Sequence, residues 1–343
     1  MTGILSTLLA RAAARTVAAL RSNRQFEQLY TTIVGDIDNR ETFSSIGMHE
    51  MMLADEVRLD AYHRAIAAHV KPGQTVLDVG TGSGVLAFFA AQRGARTVYA
   101  IDHAEIIDVA KRVADHNRIT NVEFLELNSK GFAPAERLDH IVQEQIGWCL
   151  FEENMVATLV DLRDRVLKPG GRILPNRFDL FIEPVQLKDK YRIPFIWEQR
   201  VQNIDYGCMQ DLSRVEVPRG YHLRSLWADE VSHLLCEPEL LYSCDLETMK
   251  ETDLPDRFGS RRIVEHEGRL DGYCLYFRAI FDDTISFSTF PFDERTHWGV
   301  PLFRVEAQSC RKGDALDYEL AIPNVRDPNT WRLAMAGSPV SRA

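Results

Sequence analysis

Two glutamates, Glu144 and Glu153, frame the segment Glu144-Gln145-Ile146-Gly147-Trp148-Cys149-Leu150-Phe151-Glu152-Glu153-Asn154-Met155. Two carboxylates converging in a partly dry pocket repel each other and lose hydration. Such a pair is best tolerated around a delocalised cation with several N–H donors. Guanidinium is the natural occupant. Glutamate is also common on solvated helix faces, and Glu152 fits that plainer description. The pair gains its meaning from the segments around it.

Upstream, Asp78-Val79-Gly80-Thr81-Gly82-Ser83-Gly84 follows a hydrophobic strand and opens a helix. In this setting glycines let a ligand approach the backbone closely. Asp102 ends the next strand, where its carboxylate can accept both hydroxyls of a ribose, so an adenosine-containing cofactor is expected. A dinucleotide fingerprint needs its third glycine three residues after the second. Val85 holds that position and the glycine is Gly84, which disfavours a nicotinamide cofactor and an oxidoreductase.

These residues need a scaffold, and the alternation of strand-like and helix-like runs from about 47 to 175 predicts a parallel α/β unit. Strands are expected over 74–79, 97–102, 122–127 and 140–143, and helices over 85–93, 106–117 and 155–166. A turn is expected at Lys168-Pro169-Gly170-Gly171, before a strand from Arg172. Beyond Pro175 the short alternating stretches 178–182, 273–281 and 316–322 predict a barrel or sandwich over 176–343. Within it, residues from about 187 to 215, with Trp197, Tyr206 and Met209, carry more helical spacing and read as an excursion from the sheet. Residues 1–46 form a separate leading segment. Its first 26 residues hold Arg11, Arg15, Arg21 and Arg24 without an acidic residue. They read as a basic amphipathic helix that either packs on the protein or its dimer partner, or serves as a transit or membrane-surface segment.

The whole chain bounds these readings. Its 343 residues suit two domains, and 45% hydrophobic with 26% charged residues is ordinary soluble composition. Fifty acidic against 40 basic side chains give a formal net charge of −10, which argues against general nucleic-acid binding and suits cationic partners. The cysteines show no CxxC or paired spacing, so no metal site and no disulfide framework is indicated, and a reducing cytoplasm is expected. No apolar run approaches the roughly 20 residues of a membrane span.

The turn D-x-G-x-G-x-G looks like motif I of class I S-adenosylmethionine-dependent methyltransferases. Three further segments narrow the resemblance: His49-Glu50-Met51-Met52-Leu53-Ala54-Asp55-Glu56-Val57-Arg58, the two-glutamate segment, and Thr296-His297-Trp298 preceded by Phe287-Ser288-Thr289. In this order, over about 43 to 335, the chain resembles the protein arginine methyltransferase family. The resemblance implies a Rossmann-like domain followed by a β-barrel with a helical dimerisation arm at about 187–215, and a homodimer. It implies S-adenosyl-L-methionine as cofactor, held by Arg58 at its methionine carboxylate and by Asp78, Gly80, Gly82, Gly84, Asp102 and Met52. It makes Glu144 and Glu153 the guanidinium clamp, and has His297 pair with Asp55 across the domains. Met52 and Met155 would flank the reacting nitrogen, as in family members making monomethyl and asymmetric dimethyl arginine, with Trp148, Trp298 and Phe43 around the substrate.

The chain departs from the family pattern at four places. The lid, usually Tyr-Phe-x-x-Tyr, is Asn39-Arg40-Glu41-Thr42-Phe43, with one aromatic. Gln145 stands where a tryptophan follows the first glutamate, Trp148 where a tyrosine follows the loop glycine, and Ser129 near the adenine where a glutamate is usual. Asn128 or Ser129 is then expected to meet the base. Because these changes touch the acceptor side, the expected substrate is arginine in a protein or peptide, or alternatively a small guanidine compound. A dimeric scaffold without chemistry is the reading from another class.

Overall fold

The computed structural model describes residues 43–210 and 220–335. The basic segment 1–26, the lid up to Thr42 and the end of the arm lie outside the described residues. Helix α1 (Ile46–Leu53) leads into α2 (Glu56–His69), whose N-cap is Asp55. The Asp55 carboxylate accepts the backbone N–H of Arg58 at 3.0 Å, an interaction typically worth about 1 kcal/mol. Then follow β1 (Thr75–Val79), α3 (Val85–Gln92), β2 (Thr97–Asp102), α4 (Ile107–Asn117), β3 (Val122–Glu126), β4 (Leu138–Gln143), α5 (Met155–Val166) and β5 (Leu167–Leu174).

The five strands form one parallel sheet in the order β3-β2-β1-β4-β5. The chain reverses its direction of travel between β1 and β4, and in such sheets ligands bind at that switch point, beyond the carboxyl ends of the strands. Gly80, Asp102 and Glu144 all lie at such ends. The expected Lys168-Pro169-Gly170-Gly171 turn is instead absorbed within β5. Leu138 pairs with Leu167 and His140 with Arg172, so the four residues leave the ladder as an irregularity before the strand resumes.

The rest of the described chain is antiparallel and β-rich. It comprises β6 (Arg177–Leu187), β7 (Arg200–Val201), β8 (Ile204–Asp205), β9 (Leu223–Leu226), β10 (Val231–Leu234), β11 (Tyr242–Asp245), β12 (Arg257–Ile263), β13 (Gly268–Ile280), β14 (Ser286–Ser288), β15 (Val300–Cys310), β16 (Ala315–Ala321) and β17 (Arg332–Met335). A seven-stranded sheet runs β10-β6-β13-β15-β9, with β11 on β6 and β14 on β13, and β12-β16-β17 form a second sheet. The arm differs from its helical expectation. Its described part carries 3₁₀ turns at Asp189–Tyr191 and Ile196–Glu198 and the small β7–β8 hairpin. Pro194 stands between the two 3₁₀ turns and Gly207 follows the hairpin, and both residue types disfavour a continuous helix.

One hydrophobic core runs through both sheets. Tyr62 of α2 packs edge-on against Phe281 with ring centroids 4.9 Å apart, and Phe287 stacks on Trp298 at 5.6 Å. Polar ties run along the same seam: Tyr62 donates its hydroxyl to the Gln143 carbonyl at 2.7 Å, and the Trp298 indole N–H donates to the Ile146 carbonyl at 3.0 Å. The β-rich part therefore holds the start of the loop that carries the glutamates, directly through Trp298 and by way of Phe281 through Tyr62.

Candidate active site

The glycine turn is built by its own backbone demands. Gly80, Gly82 and Gly84 have φ of 70°, 52° and 90°, conformations that side chains with a Cβ rarely adopt. A Cβ on Gly82 would stand 2.6 Å from the His49 ring, and one on Gly84 would stand 2.5 Å from the Phe88 ring. The Gly82 N–H donates to Asp102 Oδ2 and the Ala104 N–H to Asp102 Oδ1, both at 2.9 Å. The Asp102 carboxylate is thus fixed by the turn it faces.

Asp78 behaves differently from its expected place among the cofactor contacts. It is buried and points into the turn, accepting from the Thr81 hydroxyl at 2.7 Å and the Ala87 N–H at 3.1 Å. Burial pushes its carboxyl up to about 7 despite these donors.

A cavity opens above the turn. Its walls include Gly80, Gly82, Asp102, Asn128, Ser129 and Met52, and it reaches Phe43, Glu144 and Glu153. The residues expected to hold a nucleoside and those expected to hold a cation therefore share one space. Asp78, Gly84, Met155, Trp148 and Trp298 are not on its walls. Met155 is fully buried beneath the Gln143 amide. Trp148 belongs to the loop itself, with its indole N–H buried and unpartnered, and Trp298 bonds the loop's Ile146 carbonyl.

Arg58 of α2 is 3% exposed and is not on the cavity walls, which it meets through Glu144. Its guanidinium lies 3.1 Å from Glu144 and donates to the Met52 carbonyl at 2.6 Å, while its Nε is buried without a partner. Arg58 and Asp55, three residues apart, form no side-chain ion pair. Asp55 instead takes the Arg58 backbone N–H and pairs with His297, whose Nδ1 and backbone N–H lie 2.7 and 2.8 Å from Asp55 Oδ2. Burial pushes the Asp55 carboxyl up, but His297 and the two N–H donors outweigh it and hold it below its ordinary value.

The two clamp carboxyls lie on the other side of theirs. Burial raises Glu144, opposed by Arg58. Burial raises Glu153 much further, with Glu144 and Glu152 adding repulsion. Three carboxyls of the loop thus stand close together, with the Arg58 guanidinium beside Glu144.

Sequence reasoning missed three contributors. His49 caps the turn, lies against Gly82 and bonds the Phe43 carbonyl at 2.8 Å; its signal was a histidine inside a recognised motif. Arg326 lines the cavity and had no local signal because it arrives from the far end of the chain. Glu152 is not a solvated helix residue. Its carboxylate folds back under the loop and accepts the Cys149 N–H on both oxygens, at 2.7 and 2.9 Å.

A parallel sheet with a nucleoside-sized crevice at its switch point, joined to a β-rich unit that closes one side, defines a class I methyltransferase with an appended β domain. Comparisons with known proteins agree. The family described as ribosomal protein L11 methyltransferase (PrmA) matches residues 58–174, and that described as arginine methyltransferase oligomerization subdomain matches 176–335. Protein arginine N-methyltransferase 6 of Xenopus tropicalis is 32% identical over 80% of this chain and 82% of its own, and that of Danio rerio 33% over 75% and 76%. Among solved structures, Arabidopsis thaliana protein arginine methyltransferase 10 superposes with a TM-score of 0.69 at 28% identity, over 83% of this chain and 91% of that one. The Trypanosoma brucei PRMT1 enzyme-prozyme heterotetrameric complex with AdoHcy shares the fold, with a TM-score of 0.70 at 23% identity over 82% of this chain and 89% of that one. The chain belongs to the protein arginine N-methyltransferase family.

Proposed function

We propose that this protein transfers a methyl group from S-adenosyl-L-methionine to a guanidino nitrogen of arginine in a protein or peptide. The observation that supports this best is the single cavity shared by Gly80, Gly82 and Asp102 on one side and Glu144 and Glu153 on the other. The residues fit the cofactor. Arg58 has one unused buried donor, Nε, for the methionine carboxylate. The Asp102 oxygens each keep a lone pair for a ribose hydroxyl after taking one backbone N–H. Gly80 and Gly82 bring bare backbone to the cavity wall, with the His49 ring beside Gly82.

When bound, S-adenosyl-L-methionine supplies an electrophilic methyl whose bond to sulfur breaks as the bond to nitrogen forms, leaving a neutral thioether. Glu144 and Glu153 accept N–H groups of the guanidinium and concentrate its positive charge on the nitrogens they hold. The remaining nitrogen becomes richer in electron density, and the clamp aims it. Glu144 is oriented by Arg58. The nitrogen's proton leaves after attack, to a clamp glutamate or toward the His297–Asp55 pair, whose charges act on Glu144.

The raised clamp carboxyls give a pH dependence. A carboxyl whose value is lifted in the free site keeps its proton below that value, whereas a bound guanidinium requires it ionised. Arginine binding therefore releases protons, and KM for an arginine peptide falls as pH rises toward the elevated value of Glu153. Steady-state kinetics between about pH 6 and 9 check this. A KM that rises with pH over that window contradicts it.

The protein acts as a homodimer through the arm. Trp197 is stacked within the chain, on Phe195 at 4.6 Å, so it is not the surface that needs covering. Ile193, Ile196, Val201 and Ile204 are 56%, 39%, 48% and 60% exposed on the same short segment, an apolar cluster that favours a partner. Deletion of residues 190–212 is expected to give a monomer with weakened cofactor binding. A parent that sediments as a monomer at micromolar concentration contradicts the reading. The six cysteines are all free, which supports a reducing, cytoplasmic location. No helix among the described residues is long and apolar enough to cross a membrane.

A further inference from the structure

The loop between the clamp glutamates holds a third carboxylate for which the methyl-transfer reading has no use. Glu152 has its carboxylate directly against Gly147: a Cβ on that glycine would stand 2.5 Å from Glu152 Oε2 and 2.8 Å from Oε1. Both oxygens take the Cys149 N–H, and the N–H groups of Trp148 and of Glu152 itself also act on it. Around it the backbone is unusual. Leu150 and Asn154 have φ of 76° and 61°, conformations that cost non-glycine residues on the order of 1 kcal/mol or more and persist only when their surroundings enforce them. Within the loop the Leu150 N–H bonds the Gly147 carbonyl at 2.9 Å and the Asn154 N–H the Phe151 carbonyl at 3.1 Å.

We infer that Glu152 is a positioning residue whose carboxylate, seated in the space left by Gly147, sets the spacing of Glu144 and Glu153 and so the geometry of the guanidinium clamp. The inference rests on the methyl-transfer reading above. Gly147 and Glu152 form one device: the glycine is needed because the carboxylate occupies the position of its missing side chain, and the carboxylate replaces water for N–H groups turned inward. An anion accepts several N–H bonds at once, whereas the protonated acid offers fewer acceptor lone pairs. Burial lifts this carboxyl to about 7 against those donors. The titratable groups facing it are the Cys149 thiol and Glu153, both of which it pushes up. The clamp is then held in shape above neutral pH and loosens below it.

The test compares the parent with Glu152→Gln, Glu152→Ala, Gly147→Ala and the double variant Gly147→Ala/Glu152→Ala, using radiolabelled S-adenosyl-L-methionine and an arginine-rich peptide. A clamp displaced by about 1 Å is expected to lower kcat/KM about 100-fold, through kcat as well as KM, with cofactor affinity unchanged. Glu152→Gln, which keeps one acceptor, should fall between the parent and Glu152→Ala. It should also lose the limb of the kcat profile near pH 7. Gly147→Ala expels the same carboxylate, so the double variant should be no worse than either single one, a non-additivity that separate effects would not show. An active parent with Glu152→Gln and Glu152→Ala both within about two-fold, or with fully additive losses in the double variant, overturns this inference alone. A parent that transfers no methyl overturns the proposed function and this inference with it.

Discussion

Glu153→Gln is expected to lower methyl transfer by about 10²–10³-fold, the cost of removing one preorganised electrostatic partner from a transition state, while S-adenosyl-L-methionine binds as before. The amide keeps the shape of the side chain and replaces one acceptor oxygen by a donor that faces the donors of a guanidinium. Glu144→Gln should cost as much in turnover, but not with the same silence toward the cofactor. Glu144 is also the ion-pair partner of Arg58, at 3.1 Å, and its loss leaves a buried guanidinium with one carbonyl contact. Removing one partner of a buried pair is destabilising by roughly 3–5 kcal/mol at full burial. The 14% exposure of the Glu144 side chain reduces that cost. Cofactor affinity and melting temperature should therefore shift in Glu144→Gln and stay put in Glu153→Gln. Single-turnover rates beside calorimetric titration distinguish the two variants. Turnover within a few-fold of the parent in both contradicts the clamp.

Asp102→Ala should weaken S-adenosyl-L-methionine binding by about 100-fold or more, equivalent to about 2.7 kcal/mol. Two losses combine. The ribose loses a charged acceptor, and the N–H groups of Gly82 and Ala104, each 2.9 Å from the carboxylate, lose the partner that holds the glycine turn against β2. Asp102→Asn should fare only slightly better, because its amide nitrogen must face one of those N–H donors. Isothermal titration with the methyl donor and with NAD measures both affinity and choice of cofactor. Unchanged affinity in Asp102→Ala, or tighter binding of NAD by the parent, would remove the nucleoside assignment.

The parts of this site that sequence made legible are those with local physical demands. A left-handed backbone at Gly80, Gly82 and Gly84 requires glycine and leaves a readable spacing. The helix over Met155–Val166 and the strand over Thr97–Asp102 follow from apolar periodicity; the limits of β1, β3 and β4 moved by a residue or two because ends fray, while β5, β6 and β13 run five residues beyond the stretches read from sequence. Residue type alone did not separate four carboxylates with four fates. Asp78 serves the turn, Asp102 the cavity, Glu144 an arginine, and Glu152 the underside of a loop. Each fate is set by where the chain folds the side chain. Glu152 was misread because a helix-face argument assumes regular φ, and Leu150 breaks it with a left-handed conformation that leucine does not advertise. Arg58 was read as a site residue from its motif, but its contact with Glu144 joins α2 to the end of β4 and exists only once the sheet has formed. Trp197, read as part of an excursion from the sheet, stacks on a ring of its own chain.

The central claim is that one cavity brings a methyl donor to a guanidinium held between Glu144 and Glu153. It is tested most directly by incubating the full chain with S-adenosyl-L-methionine labelled in the methyl group, together with arginine-rich proteins, arginine peptides, the same peptides with lysine in place of arginine, and free guanidines. The account predicts label on guanidino nitrogens of the arginine-containing proteins and peptides, none on the lysine peptides, and loss of the signal in Glu153→Gln. Transfer confined to free guanidines would move the acceptor to small molecules. Cofactor binding without transfer to any guanidine, or equal labelling of the lysine peptides, would contradict the account.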